Sequence, residues 1–567
     1  MFLEHLQRVQ DALANTYTLA NLSGWIARNT YHENRLFNYK YREYQPLVID
    51  DPAKTLFVVK CAQVGLSEIF ARWVLSTVCT QENFTAIYTF PAATDAELFS
   101  KARLMPIIAS SKAIQHSISK IVNSVDLKQF GQNSFLYTRG THSETGALSV
   151  PADLIVHDEY DRSDMGNISA YVSRLQARPT KMRRIFSTPT VAKYGIDKES
   201  RTSLRKRQIW NCSHCTHKFL PSYHTDIIIP GYSGEKKLIN KGNLKDINWK
   251  EAKLLCPKCG KIPDSDLANR EWVLENPSDN FESVTYFITP FCAPEIISAS
   301  YLVSVSTQFE KWSEFVNQAL GETSEDAEDM LTESDVRGSI RQGDLTSATI
   351  HFMGVDFGLM CHIVIGRVSE GLLLVVHREA VFYTSLESKR AELMRRFTVL
   401  VSVHDLFPYT DMVTRIVNSD PNAFGAIYVE RKSTESHTVK DQDENAEEGK
   451  LNVRSVMVNR NVAFDELMAE FKSKRIVVQS SEKDEEFVTH MISMKRIEKF
   501  TKSNEMRYVW EKTDGVDHWH HALLYMYIAT KLRAMAGVWS TPGVVPFVSS
   551  FKTTSHNSES PRQNRGF

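Results

Sequence analysis

Between Thr55 and about Thr190 the chain alternates short, unbroken apolar runs with longer stretches whose apolar positions return every three or four residues. The runs "TLFVVK", "FTAIYTF", "DLIVHDE" and "MRRIFSTPT" have the length and the β-branched and aromatic content of buried strands. Strands that alternate with amphipathic helices predict a parallel sheet with crossover helices, so residues 51–205 read as an α/β core behind a helical lead-in at 1–50. The pattern changes over 206–307, where two cysteine pairs bracket the polar insert "YSGEKKLINKGNLKDINWKEAK" and the remainder of the first lobe follows. Residues 308–345 read as helix and then an acidic run, "GETSEDAEDMLTESD", which suits a linker. A second α/β pattern fills 346–540, from "ATIHFMGVDFG" through "GLLLVVHREAVFY" and "FGAIYVERK" to the helical "HWHHALLYMYIATKLRAMA". The polar remainder, 541–567, predicts a disordered tail.

Composition adds bounds. A chain of 567 residues is expected to hold two or three cores, and 42% hydrophobic with 24% charged residues is ordinary for globular protein. No apolar run approaches the roughly 20 residues that cross a bilayer, and the N-terminal "MFLEHLQRVQDALANTY" lacks the basic start and apolar centre of a signal peptide, so a cytoplasmic chain with no membrane partner is expected. With a net charge of -1, contact with nucleic acid must come from local basic stretches such as "RPTKMRR" at 178–184 and "RTSLRKR" at 201–207, although charge runs are often simply solvated faces.

Three groups of residues carry candidate chemistry. The stretch "FVVKCAQVGLSEIF", residues 57–70, is a strand, a glycine-containing turn and a helix start, the layout in which backbone N–H groups surround a phosphate chain. Leu66 stands between Gly65 and Ser67, where a lysine is usual; Lys60, at the front of the turn, can fold back onto the phosphates, and Ser67 can reach a phosphate-bound Mg²⁺. Downstream, "DLIVHDEYD" ends a strand in adjacent carboxylates: Asp158 suits the Mg²⁺ shell and Glu159 the attacking water of an ATPase. "IFSTPT" ends another strand in Ser187 and Thr188, which can sense the γ-phosphate and pass on its state.

The second group is "CSHC" and "CPKC". Cys212, Cys215, Cys256 and Cys259 form two Cys-x-x-Cys knuckles, and four thiolates predict a closed, structural Zn²⁺ site with no open position for catalysis. His214 and His217 beside the first knuckle are alternative ligands. The third group lies in the second lobe, where apolar strands deliver Asp356 and Glu430, and Asp517 stands at the mouth of a late helix. Carboxylates far apart in sequence but carried on adjacent elements can hold two divalent ions for phosphodiester cleavage, and hard oxygen ligands favour Mg²⁺ or Mn²⁺. His518 and His521 can complete a metal site of different composition, with Asp405 and Asp411 in reserve.

"KCAQVGLSE", "TFPAATDAELFSKARLMPII", "VHDEYD", "STPT", the two cysteine pairs, "REWV" and "FVNQALGE" occur in an order that resembles the lambda-like large terminase subunits of tailed bacteriophages, over roughly residues 40–530. The resemblance implies a RecA-like P-loop ATPase, a zinc-binding insert and an RNase H-like nuclease. It implies a motor that cuts concatemeric double-stranded DNA and drives it into a procapsid in the host cytoplasm, as a ring on the portal protein and with a small terminase subunit. It also accounts for the lysine at the front of the loop and makes Gln45 an adenine contact. An arginine finger is implied, with Arg72, Arg103, Arg139 and Arg162 as candidates. Two rival readings are a helicase-like DNA-dependent ATPase fused to a repair or recombination nuclease, and a non-enzymatic DNA-binding scaffold built on a decayed nucleotide loop.

Overall fold

The apolar runs become the strands of two separate sheets. The computed structural model describes residues 21–142, 150–275, 282–324, 330–347, 349–429, 435–441, 453–500, 506–513 and 515–535. Contacts group the chain into two units, Met1–Asp329 with Lys495–Asp514, and Met330–Met494 with Gly515–Phe567.

Among the described residues the first unit carries an 11-stranded sheet. Its parallel centre consists of β1 (Thr55–Lys60), β2 (Thr85–Phe90), β3 (Ser134–Gly140), β4 (Leu154–Asp158), β5 (Met182–Ser187), β6 (Leu204–Asn211) and β7 (Ser283–Ile288). The spatial order is β6-β7-β1-β5-β4-β2-β3. Strands β2 and β4 are buried at every position, which is why they read as continuous apolar runs instead of alternating. The order sets β5 between β1 and β4, so the loop after β1 and the carboxylates after β4 open at the same edge of the sheet, as a RecA-like core requires. Helix α1 (Leu66–Thr80) leaves the loop and packs Phe70 on Phe186 of β5, ring centroids 4.6 Å apart.

The cysteine-bearing insert is an excursion between β6 and β7, and it returns through Arg270–Leu274, antiparallel to β6. Its core joins Trp210, Phe219, Tyr223 and Ile227 to Leu302, Phe315, Val316 and Leu320. The expected linker at 308–345 is therefore not a single connector. Phe315, Val316 and Leu320 bury against the insert, and Ile340–Arg341 already pairs in the second sheet. The acidic residues drew attention to a hinge, but the apolar positions beside them decide where the segment packs. A second difference concerns the hairpin Met494–Phe500 and Met506–Lys512, expected in the nuclease lobe. Lys495 Nζ donates to the Ala192 carbonyl at 3.3 Å and Tyr508 Oη to Glu314 at 3.2 Å, so residues 495–514 fall with the first unit.

Among the described residues the second unit holds a nine-stranded mixed sheet. Strands β8 (His351–Asp356), β9 (Met360–Ser369) and β10 (Leu372–Phe382) form an antiparallel meander. Strands β11 (Val399–Asp405), β12 (Ala423–Val429) and β13 (Ser455–Asn459) follow on the other side of β8, all parallel to it. Helix α2 (Asp484–Ile492) precedes helix α3 (His518–Met535), which crosses β8 so closely that a Cβ on Gly354 would lie 2.1 Å from the Ala522 carbonyl oxygen. Only glycine fits that crossing, and it brings the start of α3 to the end of β8. Among the described residues no helix is long and apolar enough to cross a membrane. The expected tail, 541–567, lies outside the described residues.

Candidate functional site

Strand β1 ends at Lys60, the chain turns through residues 61–65, and α1 begins at Leu66. A cavity of about 560 Å³ opens above this turn, lined by Gln45, Lys60, Gly65, Ser67, Glu159 and Thr188 among others. Lys60 Nζ lies 2.9 Å from Glu159 Oε1. Burial works against the lysine's charge, but Glu159 and Asp158 outweigh it and raise its pKa. Burial and the neighbouring Glu159 push Asp158 up to about 7, while burial of Glu159 itself is overcome by Lys60 and Arg162, which hold it below the usual range. One ammonium thus serves two adjacent carboxylates, of which Asp158 is buried, and among the described residues Asp158 Oδ1 has no hydrogen-bond partner. A divalent cation suits such a corner.

Lead-in residues close the other side. Gln45 Nε2 donates to the Gly65 carbonyl at 3.1 Å, and Tyr44 Oη donates to the Val64 carbonyl. Among the described residues Gln45 Oε1 and Arg42 Nε are buried without a hydrogen-bond partner, and the Arg42 side chain lies against Gly65. These orphaned groups around a loop of phosphate-binding shape fit a bound ATP with its Mg²⁺, which would use Lys60, Ser67 and Asp158 together. Arg42 was not singled out from the sequence, because a surface-like "YREYQ" offers no sign that its arginine turns inward.

The expected sensors divide. Thr188 lines the cavity and its hydroxyl reaches Glu159. Ser187 instead accepts the Asp161 N–H at 3.1 Å and donates to the Thr188 carbonyl, so its work is to hold the turn after β4. Of the arginines, Arg72 is buried in an ion pair with Glu68 and Arg139 pairs with Asp126, whereas Arg103 and Arg162 line the cavity. A residue the sequence did not mark is Gln318, whose carbonyl accepts the Ala62 N–H at 2.6 Å and which also lines the cavity. The basic stretches are largely spent inside the unit. Arg184 is buried among the carbonyls of Ala53 and Lys54, and Arg205 and Arg207 both pair with Glu275.

In the insert, Cys212, Cys215, Cys256 and Cys259 place all four sulfurs within 4.8 Å of one another. Cys212 Sγ to Cys259 Sγ and Cys215 Sγ to Cys256 Sγ are both 3.7 Å. Tetrahedral zinc with bonds of about 2.3 Å gives an edge of roughly 3.8 Å, so the four thiols fit Zn²⁺. Burial opposes ionisation of Cys212, but backbone N–H groups of His214 and Cys215 bring it down to about 6. The two histidines stand outside the cluster: His214 Nε2 meets the Ile262 carbonyl at 3.1 Å, and His217 stacks on Phe219.

Residues 40–273, which span the loop, the paired carboxylates and all four cysteines, match the family described as phage terminase large subunit gpA, ATPase domain. Residues 40–273 carry the ATPase domain of the phage terminase large subunits. No curated protein matches this chain in a sequence comparison. Among solved structures, the HK97 bacteriophage large terminase is 10% identical, covering 89% of this chain and 98% of that one at a TM-score of 0.48. The Thermus phage P74-26 large terminase ATPase domain is 11% identical, covering 50% and 96% at 0.31. The large terminase nuclease from thermophilic phage G20c is 13% identical, covering 34% and 96% at 0.24. The assignment rests on the family match.

In the second unit, Asp356 ends β8 and is buried, with His518 Nδ1 2.7 Å from its Oδ2. The parallel neighbour β11 pairs His404 with Val355, so Asp405 stands next to Asp356. Burial and the Asp356 charge push Asp405 up to about 7. Strand β12 ends at Val429, and Glu430 lies outside the described residues. Asp517 Oδ2 meets His521 Nε2 at 3.2 Å, and His521 Nδ1 meets Tyr428 Oη at 2.6 Å. Among the described residues, the metal-capable trio around Asp356 contains His362 and His518 and not Asp517. Asp405, held in reserve on sequence grounds, is thus the acid that faces Asp356, while Asp411 is exposed on the helix Thr410–Ser419. The signal was present: "VLVSVHD" is an apolar strand ending in aspartate, like the strands that were chosen.

Proposed function

We propose that this chain is the motor and nuclease of phage DNA packaging: it hydrolyses ATP to drive double-stranded DNA into a procapsid and cuts that DNA with a divalent-ion-dependent endonuclease. The observation that carries the reading is the Lys60–Glu159 pair at 2.9 Å in the cavity above the loop, within the segment that matches the terminase ATPase family. Lys60 binds and neutralises the β- and γ-phosphates, Ser67 and Asp158 hold the Mg²⁺ shell, and Glu159 orients the attacking water and takes its proton. ATP supplies the phosphoryl group whose transfer is the energy source. When phosphate displaces the lysine's ion pair, Glu159 is released toward the water, and Thr188, bonded to it, registers the change.

In the nuclease unit Asp356 and Asp405, with Glu430, Asp517 and His521 as further candidates, hold the divalent ions that activate water and stabilise the leaving oxygen. The four cysteines hold Zn²⁺ and keep the insert folded. Partners on this reading are double-stranded DNA, the portal protein, a small terminase subunit and further copies in a ring, in the host cytoplasm. ATPase activity that DNA stimulates, that Glu159→Gln abolishes, and that accompanies binding to the portal supports the motor. DNA-stimulated ATPase with no affinity for the portal favours the helicase-like alternative.

A further inference from the structure

The antiparallel register of β8 and β9 sets His362 directly opposite Asp356, so the two side chains leave the same face of the sheet at roughly 5 Å. His362 is 4% exposed. Its ring stacks on His518 at 4.8 Å with 19° between planes and meets Trp519 edge-on at 4.6 Å. His518 in turn brings Nδ1 to 2.7 Å from Asp356 Oδ2. One ligand atom from each of Asp356, His362 and His518 falls within 4.8 Å of the others, a spread that one ion with bonds of about 2.0–2.2 Å can gather with small movements.

His362 also has an arrangement that an ordinary core histidine lacks. Its Nε2 faces Glu486 Oε1 at 3.5 Å, and its Nδ1 is buried with no partner among the described residues. An outer carboxylate that holds one ring N–H leaves the other nitrogen's lone pair for a metal, and a buried nitrogen with no partner otherwise costs free energy. His490 lies near the same ring, but its Nδ1 accepts the Trp519 N–H at 3.3 Å and serves the start of α3.

We propose that Asp356, His362 and His518 form a mixed oxygen and nitrogen site for one divalent cation of the first-row series from Mn²⁺ to Zn²⁺, with Glu486 as the outer carboxylate that orients His362. Two imidazoles favour such ions over Mg²⁺, which prefers oxygen ligands and keeps its water. The site deepens the nuclease reading by naming the ion class at its first aspartate, and ion binding is read independently of cleavage.

The test uses the full-length protein, loaded with Zn²⁺ at the cysteines and free of nucleotide, titrated with Mn²⁺. Free Mn²⁺ is counted by electron paramagnetic resonance, and bound Mn²⁺ is examined by spin-echo modulation for coupling to ¹⁴N. One bound ion coupled to imidazole nitrogen and resistant to a large excess of Mg²⁺ is expected, with His362→Gln and His518→Gln each weakening binding by about tenfold or more. The thermal midpoint of each variant is measured alongside. The His518 side chain is 36% exposed, so its replacement keeps the test open if His362→Gln does not fold. Bound Mn²⁺ without nitrogen coupling, or affinities within twofold of the parent in both variants, overturns the site. Nitrogen-coupled Mn²⁺ in a protein that cuts plasmid DNA with no ion upholds the site and overturns the divalent-ion dependence of the nuclease instead.

Discussion

Lys60 Nζ meets Glu159 Oε1 at 2.9 Å across ninety-nine residues of sequence, joining the front of the phosphate loop to the carboxylate after β4. The pair holds each partner in its charged form until a phosphate competes for the lysine. Lys60→Ala is expected to remove phosphate binding and to free Glu159 at once, lowering kcat/KM for ATP by at least about 100-fold, the scale of losing one preorganised charge contact. Glu159→Gln is expected to keep ATP binding and lose turnover. Steady-state hydrolysis beside equilibrium binding of labelled ATP separates the two, and equal loss of binding in both variants would contradict the division of roles.

Gly321 is a remote handle on the same loop. It sits at φ 71°, and a Cβ there would lie 2.6 Å from the backbone nitrogen of Cys61. Gly321→Ala therefore meets both a left-handed backbone and main chain that cannot step aside. The conformational part alone costs roughly 1–2 kcal/mol. The variant is expected to melt several degrees lower and to bind ATP more weakly, because the Gln318 carbonyl that holds the Ala62 N–H at 2.6 Å moves with it. Calorimetry with and without ATP checks this; a parent-like melting temperature would rule it out.

For the second unit, Asp405→Asn is expected to abolish plasmid cleavage, by about 100-fold or more, whereas Asp517→Asn retains more activity because its carboxylate is occupied by His521. Burial and the Asp356 charge raise Asp405 to about 7, so cleavage should rise with pH through about 7 as the carboxyl ionises and accepts the divalent ion. The sign for stability is opposite. Between the ordinary carboxylate value of about 4 and about 7 the unfolded chain gives up this proton and the folded chain keeps it, so without divalent ion the unit loses stability as pH rises through that window. Melting temperatures from pH 5 to 8, with Asp405→Asn flattening the slope, provide the measurement.

Once a weak chelator has cleared the Asp356, His362 and His518 site, one zinc per chain is expected by elemental analysis at the four cysteines, released by Cys256→Ser or by a strong chelator. Its loss should reach the nucleotide site, because the insert's core includes Val316 and Leu320, on either side of Gln318. A lower affinity for ATP after zinc removal, with Lys60 and Glu159 untouched, is the distinguishing readout; unchanged affinity would separate the insert from the loop.

The sequence made legible whatever lives in a continuous stretch. The runs that became β1, β2, β4 and β5 were visible because full burial on both faces forces unbroken apolar composition. Lys60, Ser67, Asp158 and Glu159 were visible because a strand end, a glycine turn and adjacent acids each carry their own local signal. Contributions from distant segments were not: Gln318 holds the Ala62 N–H through its carbonyl, for which side-chain identity is irrelevant, and Arg42 depends on how the lead-in folds back. His362 was missed because its importance lies in the cross-strand register with Asp356, and register is set by pairing that no single stretch encodes. The hairpin 495–514 was assigned by its neighbours in sequence, whereas Ala192 and Glu314 decide where it packs.

The excursion between β6 and β7 also sets a timetable. Strand β1 lies between β5 and β7, and β7 emerges from the ribosome only after the whole cysteine-bearing insert has been made. The Cys61 N–H waits for the Ile288 carbonyl, and the Ala62 N–H for that of Gln318. A nascent or truncated chain that stops at residue 273, where the family match ends, therefore has its phosphate loop on an unpaired strand edge. The shortest fragment able to close its own nucleotide pocket reaches past Gly321, and even that fragment lacks the hairpin that the chain sends back nearly two hundred residues later.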